Sequence, residues 1–199
     1  MQDTVIDLIR HGEPVGGRAF RGHGIDDPLS EKGWSQMWAA VGDANHWDVI
    51  VTSPLARCRA FADQLGARHA LPVHVDDKLR EVGFGSWEGR TPDELQADSS
   101  AGYDAFYADP VNNRPAGAEP LPDFGARVAA AIDDILFAHA TRRVLVVAHA
   151  GVIRAALGHA MQTAPAVWYR ARVDNAGLTR LRATRHGLQL DFHNRRRLD

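Results

Sequence analysis

Cysteine is almost missing: the 199-residue chain carries one, Cys58. A single thiol cannot close an intramolecular disulfide, so neither a stapled fold nor an oxidising compartment is implied. Cys58 follows Arg57 in a helix-like segment, and a small apolar packing role is expected of it. Long apolar runs are missing as well. No stretch approaches the ~20 residues a membrane helix needs, and no basic N-terminal region precedes an apolar one. The expectation is a cytoplasmic protein with no membrane partner. Charge of one sign is also lacking. The 23 Lys and Arg face 25 Asp and Glu, for a formal net charge of −2, so no basic footprint points to nucleic acid. Arg195-Arg196-Arg197 is the local exception and reads as a solvated tail.

The hydrophobic share of 45% and charged share of 24% belong to an ordinary globular chain, and the length suits a single domain over residues 1–199. Val5–Ile9, Asp48–Thr52, Val73–Val75 and Val144–Ala148 are short apolar runs with β-branched content, as interior parallel strands require. Helices are expected after Ser30 to about Val41, from Ser53 as N-cap with Pro54 at the first position, from Thr91, over Asp123–His139 and over Val152–Met161. Leu178–Leu181 and Leu188–Phe192 read as two closing strands joined through His186-Gly187. Residues 108–123 hold four prolines and read as irregular; with the helix before them they form a helical insertion at about 91–123. Alternating strands and helices predict an α/β three-layer sandwich, a mostly parallel central sheet flanked by helices, with ligands at the carboxyl ends of its strands.

Chemistry concentrates at those ends. The first strand runs into Arg10-His11-Gly12, and Val144–Ala148 runs into His149-Ala150-Gly151. A histidine at a strand end, beside a guanidinium and a glycine, suits attack on phosphorus. The imidazole supplies the nucleophile and Arg10 a fixed cation, while Gly12 is expected to permit a tight turn and close approach of a phosphate. His11 must be neutral to attack, which neighbouring arginine charge favours, and a backbone carbonyl bonded to its other ring nitrogen would fix the tautomer. Arg57, after Thr52-Ser53-Pro54-Leu55-Ala56, is a second phosphate clamp, since a planar guanidinium matches phosphate oxygens better than a lysine point charge. Arg59 reads as a surface charge.

This doubled strand-histidine pattern resembles the histidine phosphatase superfamily, which also holds the cofactor-dependent phosphoglycerate mutases, and the likeness runs to about residue 180. Ser53-Pro54-Leu55-Ala56-Arg57 is similar to the family's Ser-Pro-Leu-x-Arg segment. The resemblance implies a phosphoglycerate mutase-like fold, a phosphohistidine on His11, and His149 as a second catalytic histidine contacting the transferring phosphoryl group. A protonated His149 would add one more cation there. Leu79–Gly89 resembles the family's acid-bearing segment and implies that Glu81 protonates the leaving oxygen and then takes a proton from water; Glu88 is the rival carboxylate. Glu13 is expected to tie down loop backbone. Gly16–Gly24 is expected over the site, with Arg18 and Arg21 able to reach a substrate phosphate and Arg21 preferred. Its Gly-Gly-Arg pattern is similar to the alpha-ribazole phosphatases, whereas the mutases carry an Asn there. Gly117-Ala118-Glu119-Pro120 partly resembles Gly-Gly-Glu-Ser of the phosphatases, which leaves the role of Glu119 open.

The implied activity is a metal-independent phosphomonoesterase acting on a small-molecule phosphomonoester, with alpha-ribazole 5′-phosphate of cobalamin biosynthesis as the specific candidate. The alternatives are a cofactor-dependent mutase, a phospho-ligand-binding module without catalysis, and a phosphohistidine protein phosphatase, which residues 91–123 would disfavour by covering the site. No cofactor is implied and no metal, since arginines beside His11, His149 and Glu81 would repel a cation. Phe20, Trp87, Phe106 and Tyr107 could line a pocket for an aromatic leaving group or sit in the core. The oligomeric state is open, a homodimer included.

Overall fold

The computed structural model describes residues 3–198. Strands β1 (Thr4–Arg10), β2 (Val49–Thr52), β3 (Val73–Val75), β4 (Arg143–Ala148), β5 (Leu178–Thr184) and β6 (Gly187–Arg195) form one sheet in the order β3-β2-β4-β1-β5-β6. The first four strands in that order run parallel; β5 adds antiparallel to β1, and β6 adds antiparallel to β5. Helices α1 (Glu31–Val41), α2 (Ala56–His69), α3 (Pro92–Ala108), α4 (Leu121–Ala138) and α5 (Ala150–Met161) pack around it.

Strand side chains alternate between faces, and both faces here are covered. Ile6 and Leu8 of β1, Val51 of β2 and Val144 and Val146 of β4 pack with α4 and α5. Ile9, Ile50, Leu145 and Val147 pack on the other side with α1 and α2. Burial on both faces is why these strands read as unbroken apolar runs, and it produces the expected three-layer sandwich. One polar residue interrupts β1. Asp7 is buried and accepts hydrogen bonds from Trp47 Nε1 (2.9 Å) and from Arg180 Nε (2.7 Å) and Nη2 (3.0 Å). Burial pushes its carboxyl up, but the nearby His46 ring (3.7 Å), the hydrogen bonds from Arg180 and Trp47 and the Arg180 charge win and hold it below the ordinary aspartate value.

Several boundaries differ from the sequence reading. Helix α2 begins at Ala56 with Leu55 as an N-cap that has no side-chain bond. Ser53 is therefore not its cap; its hydroxyl accepts the Leu55 N–H at 3.3 Å within the preceding turn. Helix α4 starts two residues early, at Leu121, and α5 at Ala150. Arg195 closes β6 and stacks on Phe192 with its guanidinium carbon 5.0 Å from the ring centroid, while Arg195, Arg196 and Arg197 are all exposed, as a solvated segment requires. Thr91 caps α3 through a capping box with Glu94, and the irregular segment follows to Pro120. Among the described residues no helix is long and apolar enough to cross a membrane.

Candidate active site

Parallel register brings the two histidines together. Arg10 pairs with Ala148 across β1 and β4, so the residues that follow leave the sheet side by side. The His11 N–H donates to the Ala148 carbonyl (2.9 Å), and the His11 and His149 ring centroids lie 5.2 Å apart. A cavity of about 610 Å³ opens here, lined by Arg10, His11, Arg57 and Glu81, by loop residues 17–22, and by Pro92 and Tyr107 of α3. Gly12 acts differently from the expectation. Its φ is not positive; instead an added Cβ would stand 2.1 Å from the Gly33 carbonyl oxygen. The glycine is needed for close approach to the first turn of α1, not for turn geometry.

His11 Nδ1 lies 2.7 Å from the Gly12 carbonyl oxygen. A carbonyl only accepts, so Nδ1 carries the proton and Nε2 keeps its lone pair in the neutral ring. Burial holds the His11 pKa well below the ordinary histidine value, and the Arg10 and Arg57 charges add to this. The neutral, attacking form therefore persists as pH falls below ~6.5, the value of a free histidine. NMR titration of the His11 ring protons, assigned against His11→Asn, should show no midpoint near 6.5 and an onset well below it; a midpoint at or above 6.5 would contradict the buried cationic surroundings.

His149 is fully buried and does not line the cavity. Its Nε2 meets Ser53 Oγ at 2.7 Å, with Cys58 Sγ 3.5 Å from the same nitrogen. Burial, then the charges of Arg57, His11 and Arg10, keep its pKa well below the ordinary value. In the free protein His149 is thus neutral, unlike the cation expected from sequence. Only an incoming phosphoryl dianion would favour protonation. Cys58 is buried, as expected of a packing residue, and burial raises its thiol pKa far above the reactive range.

Two arginines flank His11. Arg10 donates Nη1 to the Val173 carbonyl (2.7 Å), and burial lowers its pKa to about 10. Arg57 is 1% exposed and donates to the carbonyls of Gly22 (2.8 Å) and Ile25 (3.0 Å). The Nε of each is buried without a partner. Arg21 also lines the cavity, but its guanidinium is already engaged, by Asp27 (2.7 Å) and the carbonyls of Val15 (2.7 Å) and Gly17 (2.9 Å). Those bonds make Arg21 a brace for the 15–27 loop and leave it poorly placed as a phosphate contact. Arg59 pairs with Asp63 on the surface.

The carboxylates separate by what they touch. Glu81 Oε1 accepts the Val82 N–H (2.9 Å) and Oε2 the Gly151 N–H (3.2 Å) at the start of α5, and the group lines the cavity. A Cβ on Gly151 would lie 2.3 Å from Glu81 Oε1, which explains the glycine two residues after His149. Arg127 fixes this segment by donating to the carbonyls of Lys78, Arg80 and Glu81. Glu88 is committed to the Phe84 and Gly24 N–H groups and stands outside the cavity lining. Glu119 is tied to Arg127 and the Gly83 N–H, a structural position. Glu13 reaches the cavity with its carboxylate paired to Lys32 (2.9 Å), while its carbonyl anchors Ser30.

A family model for the histidine phosphatase superfamily (branch 1) matches residues 6–196. The chain belongs to the histidine phosphatase superfamily. Curated relatives of the chain are named phosphatases, and the superfamily acts through a histidine nucleophile. A glucosyl-3-phosphoglycerate phosphatase of Mycobacterium tuberculosis is 32% identical over 196 residues, covering 91% of this chain and 86% of that one. An adenosylcobalamin/alpha-ribazole phosphatase of Salmonella typhimurium is 29% identical over 171 residues, 84% of each. A bifunctional protein of Mycobacterium tuberculosis is 34% identical over 180 residues, 88% of this chain but 49% of that protein, so the chain spans about half its length. The solved mycobacterial glucosyl-3-phosphoglycerate phosphatase with VO3 superposes with a TM-score of 0.85 at 30% identity, covering 96% of this chain and 98% of that one.

In this histidine phosphatase the cavity also holds residues the sequence reading missed. Arg154 of α5, Tyr169, Arg172 and Asn175 line it, and Asn175 Nδ2 donates to the His11 carbonyl (3.2 Å). No motif marks them; Arg154 stands one turn past Gly151, and helical spacing was the one available signal. Of the four aromatics considered, Phe20 and Tyr107 line the cavity. Phe106 is fully buried, and Trp87 packs between Phe20, Tyr103 and Phe106. Among the described residues no group of three or more His, Cys, Asp or Glu side chains could hold a metal ion.

Proposed function

We propose that this histidine phosphatase is a metal-independent phosphomonoesterase for small molecules, working through a phosphohistidine on His11. The observation that carries the reading is the His11 ring itself. Nδ1–H is held by the Gly12 carbonyl, which leaves the Nε2 lone pair in a cavity shared with Arg10, Arg57 and Glu81.

In the first step Nε2 attacks phosphorus and the P–O bond to the leaving group breaks. Glu81, in its acid form, gives its proton to the departing oxygen, which leaves as an alcohol. Arg10 and Arg57 balance the charge on the equatorial oxygens, the main requirement of phosphoryl transfer. In the second step the Glu81 carboxylate takes a proton from water as the water oxygen attacks phosphorus. The P–N bond breaks, inorganic phosphate departs, and neutral His11 and protonated Glu81 are restored. His149 stands behind His11 and supports this wall of the site.

Two substrates deserve direct comparison. Alpha-ribazole 5′-phosphate, the candidate from the loop sequence, has an uncharged leaving group; the glucosyl-3-phosphoglycerate named for the mycobacterial relative carries a carboxylate. The arginine-rich cavity favours the second type. The test is kcat/KM for both compounds and for p-nitrophenyl phosphate, with and without EDTA. Phosphate release insensitive to the chelator is expected, with a preference of ~10³-fold or more for the natural substrate type. Loss of activity in EDTA, or no phosphate released from any monoester, would overturn the proposal.

A further inference from the structure

The cavity holds more positive charge than one phosphoryl group needs. Six arginines line it, at 10, 18, 21, 57, 154 and 172. Arg10 and Arg57 flank the nucleophile, Arg21 is spent on its loop, and Arg172 is paired with Asp174 at 2.7 Å. Arg154 is different. It is half-buried, its Nε donates to the Ala171 carbonyl (2.9 Å), and its guanidinium lies over the Tyr169 ring, 5.1 Å from the centroid. Its two terminal nitrogens have no partner among the described residues, and no carboxylate pairs with it. Arg18, on the facing loop and exposed, likewise has no side-chain hydrogen-bond partner among the described residues.

Holding a half-buried guanidinium without a counter-ion in a cavity that already contains Arg10 and Arg57 costs Coulomb energy. The Nε bond and the ring beneath restrict the fork, so the free edge is preset for a ligand instead of being left to fold onto the surface. We propose that Arg154, with Arg18 closing from the loop, forms a second anion subsite that takes a carboxylate on the leaving group of the phosphomonoester. Two free nitrogens on one planar group match the two oxygens of a carboxylate. Tyr169 and Tyr107 form the neighbouring wall, along which the carbon skeleton between the phosphate and the carboxylate lies. This rests on the phosphomonoesterase reading and adds the class of leaving group to it.

The experiment compares 3-phosphoglycerate with glycerol 3-phosphate, which differ only in a carboxylate against a hydroxymethyl group. Dissociation constants are measured by calorimetry on the His11→Ala protein, which is not expected to turn either over, and again after adding Arg154→Gln. The carboxylate ester should bind about tenfold to a hundredfold tighter, as a charge-assisted hydrogen-bonded contact allows, and Arg154→Gln should bring the ratio to near one. The ratio is insensitive to a general loss of folding, which weakens both ligands alike. Equal binding of the two esters, or a ratio unchanged by Arg154→Gln, overturns the subsite. So does a ratio that collapses equally in Arg172→Gln, which would make the effect diffuse charge. Turnover of any monoester by the native protein is a separate readout: its absence would remove the phosphatase reading and leave the binding result standing.

Discussion

Turnover in His11→Ala should fall by ~10⁴-fold or more, because no other group in the cavity can replace the nucleophile. His149 is fully buried and its Nε2 is engaged by Ser53. Cys58 is sealed in the core with a thiol held far from ionisation. In the native protein, brief reaction with radiolabelled substrate followed by denaturing quench should trap a label that survives base and is lost in acid, as a phosphorus–nitrogen bond requires. His11→Ala should trap none. His11 is 5% exposed, so the alanine leaves a void; His11→Asn keeps more of the volume and guards against a folding artefact. A His11→Asn protein that turned over within tenfold of the native rate, free of host phosphatase, would remove His11 as nucleophile.

The second large effect belongs to Glu81→Ala, and its size should depend on the leaving group. An alkyl phosphate must have its oxygen protonated as the bond breaks, so kcat/KM should drop by ~10²–10⁴-fold, the range for a positioned general acid. p-Nitrophenolate leaves readily without a proton. With that ester the variant should still phosphorylate His11 and then stall, because the same carboxylate is needed to take a proton from water. Rapid mixing should show a burst of one nitrophenolate per active site and then a slow steady state. Arg127 and Gly151 hold Glu81 against the start of α5, so a drifting substitute carboxylate is not expected to rescue the reaction. Equal losses on both esters with no burst would count against Glu81 in both proton transfers. An unchanged rate in Glu81→Ala with loss in Glu88→Ala would move the acid to the residue that the geometry assigns to the Phe84 and Gly24 amides.

These two positions also show what a chain can disclose in advance. Arg10 and His11 are legible because a strand end is a local object: an apolar run stops and polar chemistry follows directly. The same holds for β4 and His149. Helices with strong local signals, such as α1 after Ser30 and α3 with its Thr91–Glu94 box, also stand where the sequence put them. Ser53 reads as a helix cap from sequence because a Ser-Pro step looks the same whether its hydroxyl turns inward to its own helix or outward to a distant histidine. Gly12 reads as a turn residue because glycine does not say whether it is needed for φ or for a missing Cβ; the carbonyl of Gly33, from another element, decides.

The alternation of apolar runs and amphipathic helices, and a histidine directly after each of two buried strands, were determined by sequence alone, since backbone periodicity and strand ends depend on neighbours in the chain. Tertiary structure alone decided which charges are free. Arg21 and Arg154 are indistinguishable as letters. One spends its guanidinium on Asp27 and two loop carbonyls; the other lines the cavity with two terminal nitrogens unbonded among the described residues. His149 changed from an expected cation to a neutral ring for the same reason. Hydrogen-bond satisfaction and desolvation are set by what surrounds a group in space: Ala171 lies 17 residues from Arg154, Gly151 70 from Glu81 and Ser53 96 from His149.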